Sequence, residues 1–274
     1  MESKFAQARG VRMRWEESGE GPPVVFVHGI PTSPRLWRRV IPMVNGARCL
    51  AWEMVGYGAS IPEGEGHDIS VACQAGYLSD WMRELGLGGG AVIVGHDLGG
   101  GVAQILAVRQ PELVRGLVLM NSICYDNWPI LPVKAIRATG AVCARLPDPL
   151  FRLVYTGVLL GLHDDPGVAR ESAAEHRPYY ERAGGAAALV RQASSLDVRD
   201  TLEISARIPE LDVPSRLAWG AADRFLEIGY AYRLAYDLGA HIERIEGGKH
   251  FVPEDHPEGV AATVDRVLEE TDAP

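Results

Sequence analysis

Cysteine is scarce in this chain: four residues in 274, at 49, 73, 124 and 143, with no C-x-x-C pair. That excludes a disulfide-stapled scaffold and a thiolate zinc site, and it predicts a reducing, cytoplasmic setting. His163 and His176 are too far apart to form a metal motif, and no cofactor is signalled. No stretch approaches the roughly 18 apolar residues of a membrane span, and the opening MESKFAQARGVRMRW lacks the apolar core of a signal peptide. No block of Lys or Arg occurs, and the net charge is −9. Nucleic acid and anionic membrane both call for a basic face, so neither is the expected main partner. What remains is a small molecule.

The apolar share of 47% and the charged share of 23% suit an ordinary globular protein. Compact apolar runs alternate with helical patterns, which predicts a mainly parallel sheet flanked by helices. The expected strands are 11–17, 24–28, 48–52, 91–95, 116–120, 215–220 and 241–245. The first is polar and alternating, as an antiparallel edge strand would be. Helices are expected over 69–85 and 99–109, with a last one opening at Pro257. Between Ser122 and Asp212 no convincing strand occurs, and prolines at 129, 132, 147, 149, 166 and 178 punctuate short helical patterns. That length is excessive for a loop. We therefore expect a core of residues 1–122 and 213–274 with an inserted helical cap, or lid, of residues 123–212. The cap should lie over the carboxyl end of the sheet, where open α/β folds bind ligands.

One segment stands out: Val92-Ile93-Val94-Gly95-His96-Asp97-Leu98-Gly99-Gly100-Gly101, a strand running through G-x-D-x-G directly into a helix. Such a turn is tight. A Cβ at 95 or 99 would strike its neighbours, and the central side chain is lifted to a helix N-terminus that favours an anion. Taken alone, Asp97 could equally be a helix cap. Three other segments decide between these readings: Val27-His28-Gly29-Ile30-Pro31, Trp219-Gly220-Ala221-Ala222-Asp223 and Gly248-Lys249-His250-Phe251-Val252-Pro253-Glu254-Asp255.

Together these segments resemble the α/β-hydrolase superfamily, with Asp at the nucleophile elbow where Ser usually stands. The resemblance implies the α/β-hydrolase fold and a catalytic set of Asp97, Asp223 and His250 in the superfamily's chain order. It also implies an oxyanion hole from the backbone N–H groups of Ile30 and Leu98. His28 reads as structural. Glu254 and Asp255 read as caps of the final helix. Glu53-Met54-Val55-Gly56-Tyr57-Gly58 extends the likeness, with Glu where the family usually has Asp, and Lys249 replaces the small residue usual before the histidine. No G-x-S-x-G follows a strand, which disfavours a serine esterase.

A carboxylate attacks carbon directly and forms an alkyl ester, which His250 and water would then hydrolyse. On this fold two families are known to work that way, epoxide hydrolases and haloalkane or haloacetate dehalogenases. Halide enzymes resemble one another in placing Trp after the nucleophile and Asn after the H-G pair; this chain has Leu98 and Ile30. Ring opening needs a proton donor, usually lid tyrosines. Tyr155, His176, Tyr179, Tyr180 and Trp128 are the candidate substrate-contacting residues, with Tyr125 and His163 as further donors, although the second-tyrosine segment is replaced by Leu189-Val190-Arg191-Gln192. The expectation is an epoxide hydrolase acting on a largely apolar molecule. Dehalogenase is the alternative, and a non-hydrolytic ligand-binding protein on the same fold is a further one.

Overall fold

A computed structural model describes residues 1–272. Eight strands form one sheet: β1 (Glu2–Ala8), β2 (Val11–Ser18), β3 (Pro23–Val27), β4 (Arg48–Trp52), β5 (Ala91–Asp97), β6 (Val114–Ser122), β7 (Ser215–Gly220) and β8 (His241–Ile245). Their order is β1-β2-β4-β3-β5-β6-β7-β8. β1/β2 and β2/β4 are antiparallel and every other pair is parallel.

The expected strands all form, but Val11–Ser18 is not the edge. β1 lies outside it, and its sequence, ESKFAQA, holds one large apolar residue, Phe5, packed under the Arg12 guanidinium at 3.8 Å. A strand this polar is held by its ladder rather than by burial, so hydrophobic periodicity does not find it.

Helices α1 (Val71–Glu84), α2 (Leu98–Arg109) and α9 (Ile228–Asp237) flank the sheet, with α10 (Val252–Asp255) and α11 (Pro257–Asp272) closing the chain. β5 is buried along its whole length, as a central parallel strand covered on both faces must be. One apolar cluster joins Val25, Ile93, Leu106 and Trp219; the other joins Phe26, Val94, Val118 and Val264. Alternate residues of one strand thus feed opposite faces.

Between β6 and β7 lie α3 (Leu131–Ala138), α4 (Gly140–Cys143), α5 (Asp148–Leu162), α6 (Pro166–Arg182), α7 (Ala186–Ser194) and α8 (Arg199–Ser205). Pro stands in the first turn of α3, α5 and α6, where a missing N–H costs nothing. α8 packs on α2, and its Ile204 joins the core cluster that carries Ile105.

Candidate functional site

β5 ends at Asp97 with φ 53° and ψ −119°, a backbone conformation that L side chains rarely adopt, and α2 begins at the next residue. The turn survives because its neighbours have no Cβ. One on Gly99 would lie 2.1 Å from the Val27 carbonyl oxygen, and one on Gly29 would lie 2.3 Å from Asp97 Oδ2. Although Asp97 occupies the N-cap position of α2, its side chain makes no capping bond. The Ile30 N–H donates to Asp97 Oδ2 at 2.9 Å, and the Leu98 N–H beside it helps to lower the carboxylate's pKa. The carboxylate is therefore not a cap. It is held by the Ile30 N–H, with the Leu98 N–H alongside, the two backbone donors that the sequence points to.

Asp223 and His250 meet beside it. His250 Nδ1 lies 2.9 Å from Asp223 Oδ2. Asp223 Oδ1 accepts from the N–H groups of Phe225 (2.8 Å) and Leu226 (3.1 Å). These bonds fix the carboxylate so that its other oxygen faces the imidazole. Burial disfavours every charge here, yet the shifts differ in sign. Burial raises the pKa of Asp97, with His250 opposing. For Asp223 the burial penalty is outweighed by His250 and by its hydrogen bonds, and its pKa falls. Burial would lower His250, but Asp223 and then Asp97 overcome it and raise its pKa.

Asn121, at the end of β6, has no counterpart in the sequence reading. Its Nδ2 donates to Asp223 Oδ2 at 2.6 Å and to the Lys249 carbonyl at 3.2 Å, while its Oδ1 accepts from the Gly220 N–H at 3.1 Å. The available signal was a polar residue closing an apolar strand at the carboxyl edge of the sheet. His96 is another supporting residue: its Nε2 donates to the His250 carbonyl at 2.9 Å. His28 is structural. Its Nε2 accepts from the Met54 N–H at 3.2 Å, and burial depresses its pKa to about 3.

Asp97 and His250 open onto a cavity of about 430 Å³ between sheet and cap. Its wall is apolar, from Leu98 and Phe225 in the core to Ile123, Val133, Phe151 and Leu189 between β6 and β7. Among the candidate cap residues, Tyr155 and Trp128 line it. The Tyr155 hydroxyl donates to the Pro31 carbonyl at 2.7 Å, next to Ile30. The indole N–H of Trp128 is committed to Thr201 Oγ1 at 2.7 Å, so the ring serves as wall.

The other three candidates, His176, Tyr179 and Tyr180, do not line the cavity. His176 is buried against the core, with Nδ1 2.9 Å from Ser33 Oγ. The Tyr180 hydroxyl donates to Gln192 Oε1 at 2.7 Å inside the cap. Tyr179 is half-buried, near Arg14 and the carboxylates of Glu53 and Glu16. α6 turns its buried face to the 34–38 turn and to α5, not to the cavity. The donors Tyr125 and His163 are also spent, on Asp237 at 2.5 Å and Glu254 at 3.0 Å.

Glu254 and Asp255 likewise differ from expectation. Glu254 is fully buried, bonded to Arg38 and His163, with His176 Nε2 at 3.6 Å from its other oxygen. Burial opposes its ionisation, but His176 and Arg38 prevail and hold its pKa at about 2. Asp255 Oδ2 accepts from the Asp164 N–H at 3.0 Å. Both residues tie the cap to the loop after β8 rather than capping a helix. Lys249 joins them, its Nζ donating to the His163 carbonyl at 2.6 Å. Among the described residues no three His, Cys, Asp or Glu side chains converge as metal ligands.

Residues 22–156 match the α/β hydrolase fold family. The chain is 27% identical to a haloalkane dehalogenase of Sphingobium indicum, over 96% of this chain and 94% of that protein. It is 37% identical to bifunctional epoxide hydrolase 2 of Sus scrofa over 134 residues, which are 47% of this chain and 24% of the relative. An α/β hydrolase fold protein from Burkholderia ambifaria superposes with a TM-score of 0.88 at 25% identity, covering 95% and 96% of the two chains. Haloalkane dehalogenase DbeA from Bradyrhizobium elkani gives 0.78 at 26%, covering 99% and 98%.

Proposed function

Because this chain is a hydrolase of the α/β-hydrolase superfamily, in its dehalogenase- and epoxide-hydrolase-like branch, we propose that it opens apolar epoxides to diols through an alkyl ester on Asp97. The carrying observation is the Asp97 carboxylate itself. It is raised on a strained elbow, has no capping bond, and has Oδ2 held by the Ile30 N–H. Oδ1 is then the attacking atom.

Attack on an epoxide carbon breaks the ring C–O bond and leaves an alkoxide. The alkoxide takes the proton of the Tyr155 hydroxyl as that hydroxyl turns from the Pro31 carbonyl into the cavity that its ring lines. This exchange is not open to Trp128, whose N–H is fixed in the ring plane. Burial keeps that phenol protonated, its pKa held well above the usual value. In the second half His250, oriented by Asp223, takes a proton from water. The hydroxide adds to the Asp97 carboxyl carbon, and the N–H groups of Ile30 and Leu98 hold the oxyanion that forms on Oδ2. Collapse expels the alkyl oxygen, which takes the proton from His250. The proton left on Asp97 returns to Tyr155, so epoxide plus water gives diol. Residues 123–212 act as the lid that keeps this chemistry dry.

A haloalkane dehalogenase is the second reading, favoured by likeness over almost the full length. Against it, a departing halide would meet Leu98 and Ile30 side chains and an indole N–H already bonded to Thr201.

Intact mass of His250→Gln after incubation with epoxides and haloalkanes tests both. Without the base the ester should persist, mapped to Asp97. An epoxide adduct adds the whole substrate mass; a haloalkane adduct adds the substrate less hydrogen halide. Tyr155→Phe should slow adduct formation by epoxides alone, on the order of a hundredfold. No adduct from a broad panel of either class would overturn the alkyl-ester reading.

A further inference from the structure

The cap leaves one face uncovered. Leu131, Val142, Leu150, Leu153, Val154 and Val158 are exposed on α3, α4 and α5, Leu131 at 80% and Leu153 at 71%. They are half of the exposed large hydrophobic residues in the described structure. A soluble surface rarely gathers such side chains without a use. Val154 and Val158, with the exposed Gly157 and Gly161, also line the cavity. Patch and cavity therefore share a rim, and an apolar path runs from the patch to Asp97.

The same helices carry unusual charge for this protein. Residues 131–162 hold Lys134, Arg137, Arg145 and Arg152 against one acid, Asp148, in a chain of net charge −9. Arg152 pairs with Glu181 at 2.7 Å and Arg137 donates to the Leu196 carbonyl at 2.9 Å. Lys134 and Arg145 are exposed and make no ion pair among the described residues. The whole-chain charge averages this face away.

We propose that the face built by α3, α4 and α5 docks on an anionic lipid surface, from which apolar substrate passes directly into the cavity. Exposed aliphatics ringed by cations match an acyl boundary under anionic headgroups. Pairing of the face with itself in a two-fold dimer would gather two copies each of Lys134 and Arg145 in one interface, with Asp148 the one acid of residues 131–162 to answer them. No helix among the described residues is long and apolar enough to cross a membrane, so the contact is peripheral. Docking rests on this surface alone; only the identity of the passing molecule as an epoxide rests on the reading above.

The test is co-flotation with vesicles of phosphatidylcholine, alone or mixed with phosphatidylglycerol. The variants are Leu150→Asp/Leu153→Asp and Lys134→Glu/Arg145→Glu; none of these four residues lines the cavity. Thermal melts check that both variants fold. The wild type should float with the anionic vesicles. Charge reversal should cut its partition on the order of thirtyfold or more, and the Leu→Asp pair should leave the protein at the bottom. Asp97→Ala should float like the wild type, which separates docking from chemistry. A wild type that floats with neither vesicle, or variants that float as well as it does, would overturn the proposal. So would a dimer in sedimentation that the Leu→Asp pair dissolves, since a second copy would then own the face.

Discussion

Asn121 Nδ2 lies 2.6 Å from Asp223 Oδ2, the same oxygen that faces the imidazole of His250. Asn121 therefore works as a positioning residue. Asn121→Ala should cost up to about a hundredfold in kcat by loosening that carboxylate. Asn121→Asp adds an anion beside the pair and should move the acid limb of hydrolysis to higher pH. Unchanged rates and an unmoved limb in both variants would remove Asn121 from the site.

His250 carries a second prediction. Asp223 and Asp97 raise its pKa above the ordinary imidazole value against the pull of burial. Under the proposed mechanism hydrolysis needs the neutral ring, so its rate should rise with pH through that value. Esterification removes the charge of Asp97 and should lower the pKa when the base is needed. Asp97→Asn imitates this neutralisation. Imidazole NMR titration should find His250 lower in that variant than in the wild type; an equal or higher value contradicts it.

Glu254 joins Arg38 of the core to His163 of the cap in full burial. Glu254→Gln takes away the buried one of the two carboxylates that Arg38 pairs with, leaving only the exposed Glu171 at 2.9 Å, and should destabilise the fold by about 3 kcal/mol at neutral pH. Depressed values also set the acid limit. Burial lowers His163 to about 4, so its contribution is complete above 6.5 and lost between 6.5 and 4. Glu254, at about 2, contributes fully above 4.5 and loses this as pH falls toward 2. Denaturant melts across this range should show both losses in the wild type and only the upper one in Glu254→Gln.

Gly99→Ala would press a Cβ to 2.1 Å from the Val27 carbonyl oxygen, whereas a Cβ on Gly88 meets nothing within 4 Å. We expect the first variant to lose more than about 4 kcal/mol or fail to fold, and the second to melt within about 0.5 kcal/mol of the wild type. Equal melts would contradict the tight elbow.

Much of this was legible in the chain. β5 and β7 carry compact apolar runs and β8 is the alternating HIERI, and the segments holding Asp97, Asp223 and His250 lie at or just after the ends of these strands. The six helices between β6 and β7 were legible as an interruption but not in detail. Tyr155, Tyr179 and Tyr180 are similar residues in similar helical settings, yet only Tyr155 reaches the cavity. Which way a cap helix faces depends on what it packs against, and spacing within one helix does not encode that. Glu254 fits a helix-start pattern just as well as a buried ionic tie, because its partners Arg38, His163 and His176 are distant in sequence.

The loop that carries His250 is fastened to the end of α5. The N–H of His250 donates to the Leu162 carbonyl at 3.1 Å, the N–H of Lys249 to Asp164 Oδ1 at 2.7 Å, and Lys249 Nζ to the His163 carbonyl. α5 also bears Tyr155. In the proposed mechanism the two groups that move protons, Tyr155 and His250, thus ride on one stapled unit, while Asp97 stays with the sheet. Raising α5 to admit a guest would withdraw both at once and disarm the enzyme at each exchange. Entry along the α5 rim proposed above would therefore call on α3 and α4, across the cavity, to give way while α5 keeps acid and base at their stations.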